Sequence, residues 1–179
     1  PGGRRPRRAP ETAGVMPPTA SERRGGRPKA RDLAMRVLYE ADVTGDDAVG
    51  LLEHSFGRFR FTQDGRDHAA ALVAHCARHH RKIDNAIRGH LENWDLERLG
   101  RIERAILRLA TAELLFVRAT PAQVVLDEAL RLAHRYGDEG AAAFINGVLD
   151  PIAHQARRAQ LKSPRVKAPP HVDPSGGVC

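Results

Sequence analysis

Four residues with metal-binding side chains, His75, Cys76, His79 and His80, form the densest cluster of reactive groups in the 179-residue chain. On a helix, His75 and His79 form one i, i+4 pair and Cys76 and His80 form another, a spacing that can hold a metal ion. The two pairs lie about 100° apart around the helix, and the sequence places no acidic partner beside them. We therefore interpret the cluster as a row of polar histidines with one core cysteine, and we expect no metal and no other cofactor.

The other sequence signatures of catalysis are missing. The chain contains no glycine-rich phosphate-binding loop, no nucleophile elbow and no zinc-protease motif. It also has no run of 18 apolar residues, so no transmembrane helix is predicted. The two cysteines, Cys76 and Cys179, give no disulfide framework and favour a reducing compartment. We therefore expect a cytoplasmic protein that is not an enzyme and does not contact the membrane.

The positive charge of the chain is concentrated at its N-terminus. Residues 1–31 hold nine Lys and Arg against two Glu, a net charge of +7, whereas the remaining residues hold 20 basic and 20 acidic side chains. Within that remainder, residues 32–156 have a net charge of −4 and residues 157–179 have a net charge of +4. Clustered cations bind a polyanion by displacing its condensed counterions, so this asymmetry predicts a polyanionic partner.

The composition divides the chain into three parts. Residues 1–26 and 157–179 are rich in Pro, Gly and basic side chains and poor in large apolar ones, so we expect a disordered basic extension at one end and a disordered basic tail at the other. Residues 27–156 have the length of one domain. We predict a single compact domain between the two tails.

Apolar residues recur at helical spacing throughout this domain, and no stretch alternates with a period of two. The pattern predicts an all-α fold of about seven helices, near residues 30–43, 46–56, 62–78, 83–93, 102–116, 120–136 and 144–152. Gly45 and Gly137 are expected to end helices, while Thr120 and Gln123 are expected to form a capping box. Gly147 interrupts the last apolar pattern, and we predict that another helix packs closely against it.

Four segments, in order, resemble the NusB family of bacterial transcription antitermination factors. The first is Arg27-Pro28-Lys29-Ala30-Arg31 with Ala34, Leu38 and Tyr39 behind it, and the second is the link from Trp94 to Leu96. The third runs from Leu99 to Arg108 with Glu113-Leu114, and the last combines Asp127-Glu128-Ala129 and Leu132-Ala133 with residues 144–150. Each segment alone is a weak signal, but together they cover residues 27–153 at compatible spacing.

The resemblance implies an all-helical fold of two packed helical subdomains. It also implies a non-enzymatic RNA-binding function. Members of this family bind single-stranded boxA RNA of the ribosomal RNA leader together with NusE, a small-subunit ribosomal protein. The resulting complex acts on elongating RNA polymerase, which then reads through termination signals.

The resemblance also implies a set of site residues. Arg27, Lys29 and Arg31 match the basic N-terminal motif and are expected to contact RNA phosphates or base edges. Tyr39 matches an aromatic position, where the ring either stacks on an unpaired base or lies half-buried on its helix. Glu103, Arg104, Phe144 and Asn146 fall on the face that lies near RNA and NusE in the family. For Glu103 and Arg104 we expect outward-facing side chains, whereas for Phe144 we favour packing.

The chain departs from the family in the segment Gly140-Ala141-Ala142-Ala143, where the family usually has polar residues. Polar contacts from this segment to RNA or to a partner are therefore not expected. In addition, Pro28 replaces a residue that is often basic.

Two other functions stay open on the sequence alone. The first is the NusB-like RNA-binding domain of a ribosomal RNA methyltransferase, which requires that the chain be a fragment because such enzymes carry a long catalytic domain after it. The second is a generic helical interaction module with a basic tail, including a homodimer formed through the apolar central helix.

Overall fold

The described residues of the computed structural model, 26–91 and 94–162, form six α-helices and one short 3-10 turn, with no strand among them. The prediction of an all-helical fold is thus confirmed. The helices are α1 (Arg27–Thr44), α2 (Ala48–Phe56), α3 (Gln63–Arg88), α4 (Arg101–Phe116), α5 (Ala122–Tyr136) and α6 (Ala141–Lys162), and the 3-10 turn is Leu96–Arg98.

The helix α3 joins two segments that the sequence pattern predicted as separate helices. No Gly or Pro lies between residues 66 and 88, so no residue stops the helix. Instead, the backbone leaves helical geometry at one residue, His79, with φ −117° and ψ 21°. The described residues divide into two compact units at the same place, the first ending at Arg78 and the second beginning at His79.

Local signals in the sequence define the helices of the first unit, where α1 packs on α2. Pro28 lies in the first turn of α1, and its ring suits this position because the first N–H groups of a helix have no helical acceptor. The helix ends at Gly45, whose φ of 81° places it in the left-handed region and whose N–H donates to Ala41 O at 2.9 Å. Asp47 then caps α2 by accepting a hydrogen bond from Gly50 N at 2.8 Å.

The core of the first unit follows the predicted apolar stripes. Its buried apolar side chains come from α1, α2 and the first part of α3, and they include Leu33, Ala34, Val37, Leu52, Ala69, Leu72, Val73 and Cys76. Burial of this kind supplies the main driving force for folding, about 25 cal/mol for each Å² of apolar surface removed from water.

The second unit is built on α4, α5 and α6, each of which packs on the other two. Its buried side chains lie on the apolar stripe of each helix and include Ile106, Leu107, Leu109, Val125, Leu132, Ile145, Leu149 and Ile152. An ion pair joins the end of α3 to this core, because Arg108 donates from Nε and Nη2 to the two Asp84 oxygens at 2.8 and 2.9 Å. Asp84 is buried, so the pair compensates a charge that would otherwise be costly there.

The start of α5 differs from the prediction. Pro121 occupies the N-cap position, and no side chain makes a cap hydrogen bond. Thr120 is buried rather than capping, and Gln123 donates to Asp127 Oδ1 at 2.9 Å, one turn further along the same helix. The capping-box prediction was therefore wrong, because the helix begins one residue later than the motif requires. At its other end α5 does stop at Gly137, as predicted.

The prediction for Gly147 was also wrong. A Cβ added at this position would find nothing within 4 Å, so no neighbouring helix packs against it. Gly147 lies four residues before Pro151, which has no N–H to donate to the Gly147 carbonyl and is nevertheless inside α6. Since Gly147 is exposed, its carbonyl is open to water at the place where the helical ladder is interrupted.

At the C-terminus α6 continues to Lys162, six residues past the predicted end of the domain at residue 156. The remaining parts of both predicted tails, residues 1–25 and 163–179, lie outside the described residues. None of the helices in the described part of the chain has the length and apolar character needed to cross a bilayer.

Candidate nucleic-acid interface

Arg27, at the start of α1, forms a bidentate ion pair with Asp64. Its Nε and Nη2 atoms donate to Asp64 Oδ2 and Oδ1 at 3.0 and 2.9 Å. Both side chains are exposed, and the hydrogen bonds from Arg27 hold the pKa of the Asp64 carboxyl below its usual value of 3.8. An exposed pair of this kind contributes little to stability, so the guanidinium can exchange the carboxylate for another anion.

Lys29, one turn into α1, contacts the loop between α2 and α3. We call residues 57–62 the Arg-Phe loop because Arg58-Phe59-Arg60-Phe61 alternates two residue types. Lys29 Nζ donates to Arg60 O at 3.5 Å and lies 5.4 Å from the centre of the Phe61 ring and 6.0 Å from that of Phe59. These contacts place the loop beside the basic start of α1.

Further cation–aromatic contacts surround the Arg-Phe loop. The Arg36 guanidinium lies 5.4 Å from the centre of the Phe59 ring, and that of Arg66 lies 5.0 Å from the Phe56 ring. Phe56 and Phe61 meet edge to face at 5.7 Å. Cation–aromatic contacts contribute about 0.5–1 kcal/mol each at exposed sites, so together they restrict the loop to one position.

Arg31, the third basic residue of the predicted motif, is not at the surface with the other two. It is only 4% exposed, while Arg27 and Lys29 are partly exposed. The structure thus brings two of the three predicted cations to one surface.

Tyr39 lies on α1, twelve residues after Arg27, and is 39% exposed. A helix rises 1.5 Å per residue, so the ring is roughly 18 Å from the start of α1 along the helix axis. Arg36 lies one turn before Tyr39, and its side chain is 42% exposed. At 100° per residue, Lys29, Arg36 and Tyr39 fall within about 80° of one another around α1, whereas Arg27 lies about 120° from Tyr39.

Glu103 and Arg104 are both partly exposed, and the polar group of each contacts its own helix or the turn before it. The Glu103 carboxylate lies over Gly100 at the start of α4, a position where a negative charge complements the helix dipole. Arg104 donates from Nη1 to the carbonyl oxygens of Leu96 and Glu97 at 3.5 and 3.3 Å, which holds the 3-10 turn on α4.

The same turn carries a second ion pair. The Arg88 guanidinium donates to the Glu97 carboxylate and lowers the pKa of that carboxyl from 4.5 to about 2. Trp94, just before the turn, is 60% exposed. Two residues of the face predicted for a partner thus have structural contacts of their own, since Glu103 lies at the start of α4 and Arg104 holds the turn.

Phe144 is half-buried on α6, in keeping with a packing role, whereas Asn146 is exposed. The segment that departs from the family lies just before them, with Gly140 in the left-handed region at φ 90° and Ala141 beginning α6. A groove of about 450 Å³ lies beside it. The polar side chains that line this groove come from His134, Asp138 and Glu139.

The histidine cluster forms no metal centre among the described residues, in which no three or more His, Cys, Asp and Glu side chains are gathered for a metal ion. His79 stacks on the Phe116 ring instead, with centroids 4.3 Å apart, and Lys82 Nζ lies 5.4 Å from the same ring. Cys76 is buried, as the sequence analysis expected of a core cysteine.

Three arginines near the basic start of α1, namely Arg36, Arg58 and Arg60, were not predicted as site residues. The available signal was the alternation of basic and aromatic residues at positions 58–61, which is unusual in a domain with few aromatic residues. What the sequence does not provide is the contact of Lys29 with the loop, because 31 residues separate Lys29 from Arg60.

Comparison with known proteins gives consistent matches over most of the chain. The model of the NusB family matches residues 28–154. The transcription antitermination protein NusB of Geobacter sulfurreducens is 39% identical over 130 residues, which cover 72% of this chain and 94% of that protein. Its counterpart in Anaeromyxobacter dehalogenans strain 2CP-1 is 40% identical over 130 residues, which cover 71% of this chain and 89% of that protein.

Solved structures agree with these sequence matches. The T. maritima NusB structure has a TM-score of 0.70 at 32% identity and covers 76% of this chain and 97% of its own. A structure of the antitermination factors NusB and NusE in complex with double-stranded RNA has a TM-score of 0.66 at 35% identity and covers 72% of this chain and 96% of its own. The named relatives are transcription antitermination proteins, and the solved structures share the helical fold of this chain. The chain thus belongs to the NusB family of transcription antitermination proteins.

Proposed function

We propose that this chain acts in the cytoplasm by binding single-stranded boxA RNA together with the ribosomal protein NusE on elongating RNA polymerase. The observation that carries the RNA part is the surface at the start of α1, where Arg27 and Lys29 are partly exposed and Tyr39 is exposed on the same helix. Cations for phosphates and a ring for an unpaired base are the groups that single-stranded RNA requires.

The similar solved complex supports the choice of partners, since it contains a NusB protein with NusE and RNA. That RNA is double-stranded, whereas the proposed ligand is a single strand. An exposed tyrosine favours the single strand because bases stack on aromatic side chains only when they leave the duplex. Arg31 is left out of the proposed surface because it is buried.

The proposal predicts that the double variant Arg27→Gln/Lys29→Gln binds boxA RNA more weakly than the unaltered protein. In a titration followed by fluorescence anisotropy at several salt concentrations, the slope of log K against log salt should fall by about 1.4, at 0.7 for each lost phosphate contact on a single strand. The matched control is Arg157→Gln/Arg158→Gln, which removes two exposed arginines from α6. The proposed surface is wrong if the first variant retains both the affinity and the slope.

A scrambled RNA of equal length tests the specificity. Binding that is equal for boxA and scrambled RNA, with NusE present, would favour the generic basic module over the antitermination factor.

A further inference from the structure

The most basic surface that the function above does not use is the Arg-Phe loop, residues 57–62. The side chains of Arg58 and Arg60 are exposed, whereas those of Phe59 and Phe61 are half-buried. The phenylalanines therefore pack against the protein, whereas the arginines are exposed to solvent, with Arg58 Nη2 also 3.1 Å from His54 Nε2.

The loop is held in place from both ends and from beneath. At its start Gly57 N and Arg58 N donate to His54 O and Ser55 O at 3.3 and 3.1 Å. At its end the Thr62 hydroxyl accepts from Gly65 N at 3.1 Å, as an N-cap side chain does for α3.

Beneath the loop, Lys29 contacts Phe59, Phe61 and the Arg60 carbonyl oxygen. The main chain that carries the two arginines is therefore already ordered in the free protein. The loop therefore loses less conformational entropy when a ligand binds these arginines.

The charges of the first unit are segregated along the chain. Residues 37–57 hold five acidic residues and no Lys or Arg, whereas the start of α1 and the Arg-Phe loop place five cations at least partly at the surface, namely Arg27, Lys29, Arg36, Arg58 and Arg60. The exposed carboxylate beside them is Asp64, which pairs with Arg27. Because Lys29 contacts the loop, these two basic segments are neighbours in space and form one positive surface. Such a surface attracts a polyanion that is longer than a single binding motif.

We propose that the Arg-Phe loop continues the RNA-binding surface of α1 and that Arg58 and Arg60 contact phosphates of the RNA strand beyond the segment held by Arg27 and Lys29. This inference rests on the proposed RNA-binding function and extends it to a second contact region. Phosphate contacts carry no sequence information, so the loop contributes affinity to every RNA sequence equally. Arginine suits this task because its planar guanidinium forms paired hydrogen bonds with phosphate oxygens.

The test is the double variant Arg58→Gln/Arg60→Gln, titrated with boxA RNA and with scrambled RNA over a range of salt concentrations. We expect binding to both RNAs to weaken by the same factor, about tenfold at low salt, and the salt slope to fall by about 1.4. The conservative variant Arg58→Lys/Arg60→Lys keeps the charges and should keep most of the affinity and slope. The matched control is again Arg157→Gln/Arg158→Gln, and circular dichroism shows whether each variant is folded.

The outcomes separate this inference from the proposed function. If Arg27→Gln/Lys29→Gln weakens RNA binding while Arg58→Gln/Arg60→Gln equals its control, the loop inference is wrong and the RNA-binding function stands. If the loop variant weakens boxA binding but leaves scrambled RNA unaffected, Arg58 and Arg60 contact bases and the phosphate assignment is wrong. If the unaltered protein binds neither RNA, with or without NusE, the proposed function fails and the loop inference fails with it.

Discussion

Arg27 illustrates how a residue of the proposed RNA surface is held in place in the free protein. Its guanidinium is held by two hydrogen bonds to Asp64, and both groups are exposed to solvent. Because the pKa of Asp64 is lowered, this carboxyl is charged at any pH at which RNA binding is normally measured. RNA phosphate must therefore compete with a permanent negative charge for Arg27.

The substitution Asp64→Asn removes that competition. We expect it to tighten RNA binding severalfold and to steepen the salt slope by up to about 0.7, since one more cation becomes fully available to phosphate. The measurement is the same anisotropy titration. The control is Asp67→Asn, which removes an exposed carboxylate from the same helix. The Asp67 carboxylate accepts a hydrogen bond from Gln63 rather than from an arginine. Weaker binding by the Asp64 variant would mean instead that the ion pair orients Arg27 for RNA.

At this scale the sequence was informative about Arg27 and Lys29 but not about Arg31. Residues 30–35 are all buried, so this part of α1 is covered on every side. A helical period distinguishes one covered side from one open side, and it therefore cannot reveal a stretch that is covered all round. The hydrogen bonds of Arg104 could not be predicted either, because its acceptors are main-chain carbonyls that carry no sequence signal.

Among the elements, α5 and α6 contain two glycines with opposite surroundings. A Cβ at Gly137, where α5 ends, would lie 2.6 Å from Ala141 Cβ and 2.9 Å from Ala133 O, closer than real Cβ contacts allow. A Cβ at Gly147, inside α6, would meet nothing within 4 Å. The first glycine is thus required by packing, whereas the second only weakens its helix.

Alanine substitutions should separate the two cases. Gly147→Ala is expected to stabilise the protein by about 0.5–1 kcal/mol, because alanine has the higher helix propensity and reduces the entropy of the unfolded chain. Gly137→Ala is expected to destabilise it by about 1–3 kcal/mol through overpacking. Urea denaturation followed by circular dichroism measures both values. Equal effects of the two substitutions would contradict this account of the connection between α5 and α6.

The presence of most helices could be predicted from the sequence, whereas the residues at which they begin and end were harder to predict. Gly45 ends α1 as predicted because the left-handed backbone at its position favours glycine, and Gly137 ends α5 at a place where a Cβ would lie too close to Ala141 Cβ. The capping box failed because α5 begins one residue later than predicted, with Pro121 rather than Thr120 at its N-cap. The two predicted helices within α3 are separated by a kink at a single non-helical residue, His79, which no sequence pattern marks.

At the scale of the whole molecule, the net charge differs in sign between two parts of the chain, which therefore attract partners of opposite charge. Residues 1–31 have a net charge of +7 and residues 32–156 have a net charge of −4. RNA is attracted by the first segment and repelled on average by the second, which suits a basic protein instead. This division is the physical reason to expect that RNA and NusE bind together more tightly than either binds alone.

Thermodynamic linkage makes that expectation quantitative. If NusE tightens boxA binding by a given factor, boxA must tighten NusE binding by the same factor, and coupling factors of about 5–150 are typical. Isothermal titration calorimetry measures both factors at one salt concentration. The protein is titrated with RNA in the presence and absence of NusE, and then with NusE in the presence and absence of RNA. Unchanged boxA affinity in the presence of NusE would contradict cooperative assembly.

The buried thiol of Cys76 can be used to measure local opening of the first unit by its rate of chemical modification. A thiol reagent can reach Cys76, which is 5% exposed, only when the surrounding part of the first unit opens. With Cys179 replaced by Ser, the modification rate then measures the free energy of that local opening directly. RNA that binds only the closed form slows the modification by the factor 1 + [RNA]/Kd, so the affinity can be obtained with neither molecule carrying a dye. A side chain that takes no part in recognition thereby becomes a probe of it.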